Sequence, residues 1–306
     1  MSKFMVLKNN TILIISIAII FILINIFFLF KFKSTSTFSH FETVHNKVEF
    51  DFDGDGNADT LNVISNNSTY SLNFKSSKLD ILLKSKKNDY SLLDVSPYCN
   101  IKIQTAHLSR SNIPEVIIMG IKNNIPTTYI FKWNGYDFEE ILMSNKNIFG
   151  ILDYNNSRTP KILDTLSDKG NESTSGYILN NNTLKNINFS SPSIPSLGEI
   201  QILIDLIQAE YELSETPDIF SSFISSEELS LLWKLDKETF HYTFINGYFF
   251  DSTWDEEGYP TTIYWILSFK KSTYTNPDNK NSEIIISAKV VLDELGEFKI
   301  SSLKKI

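Results

Sequence analysis

The sequence predicts a mainly β repeat domain, a partial propeller or a sandwich, followed by a small α+β domain, both behind one N-terminal transmembrane helix. Three observations predict it: an uncharged apolar segment near the N-terminus, a strand-loop-strand-hairpin pattern that occurs three times, and a helical texture that gives way to long strands near the C-terminus. The implied organisation is a cytoplasmic head at 1–10, an anchor at 11–31 and a tether at 32–46. A β-repeat domain at 47–190, a linker at 191–196 and an α+β domain at 197–306 follow.

From Thr11 to Phe30 the chain reads TILIISIAIIFILINIFFLF, without a charge. An α-helix needs about 20 apolar residues to cross the hydrocarbon of a bilayer. The competing reading is a cleaved signal peptide, whose apolar core is about 7 to 15 residues and ends in small residues. Here Phe27, Phe28, Leu29, Phe30 and Lys31 follow instead. Lys3 and Lys8 balance Lys31 and Lys33, so charge leaves the orientation undecided. The short head decides it: the expectation is a single-pass membrane protein whose C-terminal part is extracytoplasmic.

Composition removes several classes of function. The 306 residues include 36 acidic and 28 basic side chains, a formal charge of -8, which gives no electrostatic footprint for nucleic acid. One cysteine, Cys99, excludes an internal disulfide and a cysteine zinc cage. The four histidines, at 40, 45, 107 and 241, have no metal-ligand spacing.

The repeat begins at Lys47. KVEF enters the loop DFDGDGNAD, TLNVI leaves it, and a hairpin starts at Tyr70. NIKIQTAHL from Asn100, the loop SRSNIPE, VIIMG from Val116 and a hairpin from Tyr129 form the second copy. NIFGIL from Asn147, DYNNSRTPK, ILDTL from Ile162 and a hairpin from Tyr177 form the third. Ala58-Asp59, Pro114-Glu115 and Pro160-Lys161 align. Four strands per copy match one propeller blade, but three copies fall short of the roughly 4 to 8 blades that close a ring.

Asp51-Phe52-Asp53-Gly54-Asp55-Gly56-Asn57-Ala58-Asp59 is the strongest local signal. Carboxylates at positions 1, 3, 5 and 9 with glycine at 6 wrap a loop round a hard cation of Ca2+ size. Asp51, Asp53, Asp55 and Asp59 are the candidate side-chain ligands, and Asn57 offers its backbone oxygen. An EF-hand needs a glutamate at position 12, which is Asn62, and helices on both sides, whereas the flanks here alternate as strands. The second loop keeps only Asn112 and Glu115, and the third Asp153, Asn155 and Asn156, so neither is expected to bind metal.

The loop DFDGDGNADTLNV resembles the FG-GAP or VCBS type of repeat, found in integrin-like β-propellers and many bacterial surface proteins. The resemblance implies a calcium loop between the strands of a blade; it covers residues 47–190 and is eroded in the second and third copies.

SSPSIPS (Ser190–Ser196) breaks the pattern. Ser196 and Glu199 form a capping-box sequence before Ile200, Leu203, Leu206, Ile207 and Tyr211 on one helical face. A second helix is expected after Ser225, with Glu228 three residues on. From Phe240 the period returns to two, through HYTFINGYFFDSTW, TTIYWILSFKKSTY and SEIIISAKVVLDELGEFKISSL. Helices followed by long strands are similar to the cone-shaped domains of the nuclear-transport-factor-like superfamily.

No nucleophile triad, Gly-rich phosphate loop or Cys/His pair is present. Asp251, Asp255, Glu256 and Glu257 beside Trp254 fit either a solvated turn or the paired carboxylates of a glycan-directed envelope hydrolase. Trp133, His107 and Cys99 read as packing residues. The expectation is a membrane-anchored, extracytoplasmic, calcium-binding module without catalysis, whose partner is a protein or the cell wall; the hydrolase is the alternative.

Overall fold

The structure is a computed structural model that describes residues 42–43, 47–109, 111–154, 159–180, 183–187, 193–210, 216–274 and 281–306. The predicted head and anchor, and most of the tether, lie outside the described residues. Among those described, no helix is long and apolar enough to cross a membrane.

The architecture is mainly β, with two α-helices among the described residues. A two-residue strand, β1 (Glu42–Thr43), precedes a meander of β2 (Lys47–Phe50), β3 (Asp59–Ser65), β4 (Thr69–Lys75) and β5 (Asp80–Leu82), and β6 (Leu93–Asp94) also pairs with β4. The second copy is a meander of β7 (Lys102–Ala106), β8 (Glu115–Lys122), β9 (Ile125–Trp133) and β10 (Phe138–Ser144), with β1 on the free edge of β7. The third is β11 (Ile148–Leu152), β12 (Lys161–Thr165), β13 (Ser175–Asn180) and β14 (Thr183–Asn186). After α1 (Leu197–Gln208) and α2 (Ser226–Trp233) comes a final meander of β15 (Phe240–Trp254), β16 (Pro260–Thr273), β17 (Ser282–Leu292) and β18 (Phe298–Lys305).

Each copy is therefore four antiparallel strands in sequence order. Phe50 pairs with Asp59, and Leu152 pairs with Lys161 across the corresponding turn; Ala106 pairs with Glu115 in the second copy. The register thus places Asp59, Glu115 and Lys161 at one position, with loops of equal length before them.

The layers follow from side-chain alternation. In β8, Val116 and Ile118 face Phe52, Leu61, Leu72 and Phe74 of the first sheet. Ile117 and Met119 face the other way, onto Phe149, Ile151, Ile162 and Tyr248. The middle sheet is thus covered on both sides, which is why β8 reads as a nearly unbroken apolar run and why every residue of β7, Lys102, Gln104 and Thr105 included, is buried. The far side of the last sheet packs on Ile200, Leu203, Ile204 and Ile207 of α1, a stripe at helical spacing.

The third copy does not close its own sheet. β11 pairs in parallel with β15, giving one eight-stranded sheet in the order β14-β13-β12-β11-β15-β16-β17-β18. The boundary expected at 191–196 therefore runs through one continuous sheet. Gly150 permits this pairing: a Cβ there would lie 2.4 Å from the ring of Phe249, its ladder partner, which itself lies against Trp265 at 4.7 Å.

The two helix starts differ. At Ser225 the capping box forms with Glu228. At Ser196 it does not: this residue has φ 61°, makes no cap, and its hydroxyl accepts from buried Trp265 Nε1 at 2.9 Å. A buried indole N–H needs an acceptor, and that demand overrides the local capping signal. Helix α1 ends at Gln208, and Tyr211 lies outside the described residues.

Gly150→Ala is expected to lower stability by about 1 to 3 kcal/mol through overpacking against Phe249. Urea unfolding followed by tryptophan fluorescence measures it; an unchanged midpoint would contradict the close approach of β11 to β15.

Candidate metal centre

Phe52 anchors the acidic loop. Its ring is fully buried, 6.3 Å from Phe74 and 6.4 Å from Phe138, within a cluster that includes Trp133. Trp133 thus packs between strands rather than facing out. Phe52 is buried while Asp51 and Asp53 on either side of it are only partly buried. Gly54 and Gly56, at φ 79° and 88°, then reverse the chain in a region that glycine enters without strain. A Cβ at Gly54 would also meet Ile113 of the second loop at 2.8 Å.

The loop hydrogen-bonds onto its own carboxylates. Asp51 accepts from the N–H groups of Gly54 at 2.7 Å and Gly56 at 3.0 Å, and Asp53 accepts from Asp55 N–H at 3.0 Å. Asp59, buried at the start of β3, accepts from the N–H groups of Phe52 at 3.0 Å and Asp53 at 3.3 Å. Oxygens of Asp51, Asp53 and Asp59 lie within 4.8 Å of one another; among the described residues this is the one such group of three or more potential ligands.

Asp55 stands outside that group. It is exposed, and its Oδ1 accepts from the N–H and the side-chain amide of Asn57 at 2.9 and 3.0 Å, which holds its carboxyl below the usual aspartate range. The structure therefore brings together three of the four carboxylates singled out in the sequence, with Asn57 occupying the fourth.

The donor set fits a hard divalent cation. It consists only of oxygens, each with lone-pair capacity beyond the bonds it accepts, and has none of the softer ligands that select transition metals.

The other two copies show how the same place is arranged without three carboxylates. In the second, Glu115 accepts from Leu108 N–H at 2.8 Å and Ser109 N–H at 3.3 Å, as Asp59 does in the first. One step beyond the Val116–Phe131 pair, Glu115 also faces Lys132, whose ammonium lies 3.4 Å away. By the same register the first copy has Ser76 opposite Asp59, beside the Thr60–Lys75 pair. A lysine thus supplies the positive charge in the second copy, and an uncharged serine stands there in the first.

In the third copy Lys161 takes the place of Asp59, and the carboxylate comes from a different strand. Asp251 of β15 accepts from the N–H groups of Asp153 at 2.8 Å and Tyr154 at 3.0 Å, and from Trp254 Nε1 at 2.7 Å. Lys161 lies with its ammonium 3.9 Å from the centre of the Tyr154 ring. Burial raises the Asp251 carboxyl above the usual range, against those three donors.

These contacts tie Asp251 of β15 to the loop of the third copy. Asp255 beside it accepts from the N–H groups of Glu257 and Tyr259, which closes the hairpin turn. Neither Lys132 nor Asp251 stood out in the sequence as part of a loop. The available signals were a lysine across the ladder from Glu115 and the loss of the acid at 161. His107 lies edge-on to Phe50 at 6.4 Å, and Cys99 is buried.

No family model, curated protein or solved structure matches this chain.

Asp251→Ala leaves three donors without their acceptor and is expected to cost about 2 to 4 kcal/mol, read from denaturant melts. A second expectation concerns pH. Burial raises the Asp59 carboxyl above the ordinary 3.8; Asp53 and Asp55 push the same way, against the N–H groups of Phe52 and Asp53. A carboxyl raised on folding contributes stability that is full below its unfolded pKa and lost as pH rises through its folded pKa. With a chelator present, stability should therefore fall as pH climbs above 3.8. Asp59→Asn should flatten that part of the slope in thermal melts recorded against pH.

Proposed function

We propose that the chain is a membrane-anchored extracytoplasmic binding module of the cell envelope, without catalysis, whose first β-repeat is held by one Ca2+. The observation that carries it is the convergence of Asp51, Asp53 and Asp59 with no basic side chain at the ladder position opposite Asp59. Asp51, Asp53 and Asp59 hold the ion, with the backbone oxygen of Asn57; Asp55 joins them by releasing Asn57. The ion supplies positive charge, and the loop order that follows.

Three meanders of equal loop length support a blade-like repeat of the FG-GAP or VCBS kind, packed as successive layers instead of a closed ring. Two helices followed by a four-strand meander support a nuclear-transport-factor-like C-terminal part. The uncharged segment from Thr11 to Phe30 supports anchoring, with the protein or cell-wall partner outside the membrane.

Calorimetric titration of the full chain in detergent micelles with Ca2+ is expected to show one site. Asp53→Asn or Asp59→Asn should weaken it tenfold or more, with a smaller effect from Asp55→Asn. Ser76→Lys should remove the heat of binding while preserving the fold, because an ammonium then stands where Lys132 stands in the second copy. An absence of saturable heat in the wild type would end the calcium assignment.

A further inference from the structure

A concavity lies where the residues at and just beyond the C-terminal ends of α1 and α2 meet the end of β16. It is a half-open hollow of about 700 Å³ lined by Glu210, Trp233, Leu235, Asp236, Glu238 and Tyr274, with Lys237. That volume falls within the usual range for small-molecule sites. Trp233 and Tyr274 are each 47% exposed, an unusual state for two large rings sharing one hollow. Tyr274 is backed by His241, with ring centres 5.4 Å apart.

The charges in the hollow are unequal. Three carboxylates line it, and its one lysine is turned to the protein: Lys237 Nζ donates to the carbonyl of Leu206 at 2.7 Å. The nearby Lys271 lies over the ring of Phe240 at 3.7 Å and offsets part of the Asp236 charge, which leaves Glu210 and Glu238 as the carboxylates with no lysine set against them among the described residues. Asp236 accepts from Thr239 N–H at 3.0 Å, which fixes the orientation of its carboxylate. Aromatic faces beside carboxylates attract a cation twice, through the ring quadrupole and through Coulomb's law. A neutral sugar gains only stacking and hydrogen bonds from the same walls.

We propose that this cavity binds an organic cation, an ammonium group carried on an alkyl chain. Trp233 and Tyr274 receive the alkyl chain and the ammonium face, Leu235 contributes the apolar floor, and Glu210, Asp236 and Glu238 provide the counter-charge. The inference is independent of the calcium site. Two sources carry this chemistry, a free diamine and a lysine side chain in a peptide.

The test is calorimetry on the full chain in detergent micelles at constant ionic strength. The probes are pentane-1,5-diamine, acetyl-lysyl-lysine amide and, as the neutral competitor class, chitotriose. Saturable binding of an amine is expected, and the tighter of the two amines identifies the source. Asp236→Asn combined with Glu238→Gln should weaken it tenfold or more, as should Trp233→Leu. These residues are at the surface, and circular dichroism verifies the fold; Glu210→Gln, at the end of α1, provides an independent charge removal. The proposal is overturned if neither amine binds, if amine binding is unchanged in the charge variants, or if chitotriose binds and the amines do not.

Discussion

One arrangement organises the loops after β2, β7 and β11: two neighbouring backbone N–H groups turned onto one buried carboxylate. Asp59 holds the first loop through Phe52 and Asp53, Glu115 the second through Leu108 and Ser109, and Asp251 the third through Asp153 and Tyr154. The bonds satisfy donors that the end of the strand ladder leaves unpaired, and they set where each loop leaves its sheet. They also bring a negative charge into a poorly solvated place, which is costly unless something positive or several donors face it. Lys132 answers that demand in the second copy, and Trp254 Nε1 adds a third donor in the last. In the first copy Asp51 and Asp53 add negative charge instead, and it is there that the proposed cation belongs.

The same carboxylates tie the layers together. Asp251 belongs to β15 but holds a loop that follows β11, so it fastens the third repeat to the final meander next to their parallel pairing. Lys102 of the middle sheet and Glu283 of β17 form an ion pair at 2.6 Å, with both side chains almost wholly buried. Glu283 also accepts from the N–H and side-chain amide of Asn100. Such a buried pair adds little net stability against an apolar replacement, but removing one partner strands the other charge. It links the middle sheet to the last one across their interface.

Much of this was legible from the sequence because it is local. The strand-loop-strand units, the alignment of Asp59 with Glu115 and Lys161, and the Ser225 capping box all depend on residues within a few positions of one another. What was not legible depends on distant partners. The pairing of Gly150 with Phe249 leaves no mark except an isolated glycine in an apolar strand, so the third repeat read as part of a separate domain. Ser196 carries a capping sequence, yet the indole of Trp265, far along the chain, takes its hydroxyl. For the same reason Asp251 read as part of an acidic turn: its loop donors lie about a hundred residues away. Asp55 stood with the other three aspartates in the sequence but turns to Asn57 in the structure, because side-chain geometry is not encoded in residue spacing.

The distribution of charge sets the first loop apart from the other two. Glu115 has an ammonium built into the chain, Glu283 has Lys102, and Asp251 has three donors; each is independent of solution ions. Asp59 has two backbone donors and two further aspartates within 4.8 Å. The first sheet is also the outermost layer, covered by the middle sheet on one side, and its first strand β2 is largely exposed. Weak covering and unbalanced charge therefore coincide in one repeat, the one that directly follows the predicted tether. The cation proposed there would order the outer layer without altering the two layers behind it, because their charges are already balanced from within.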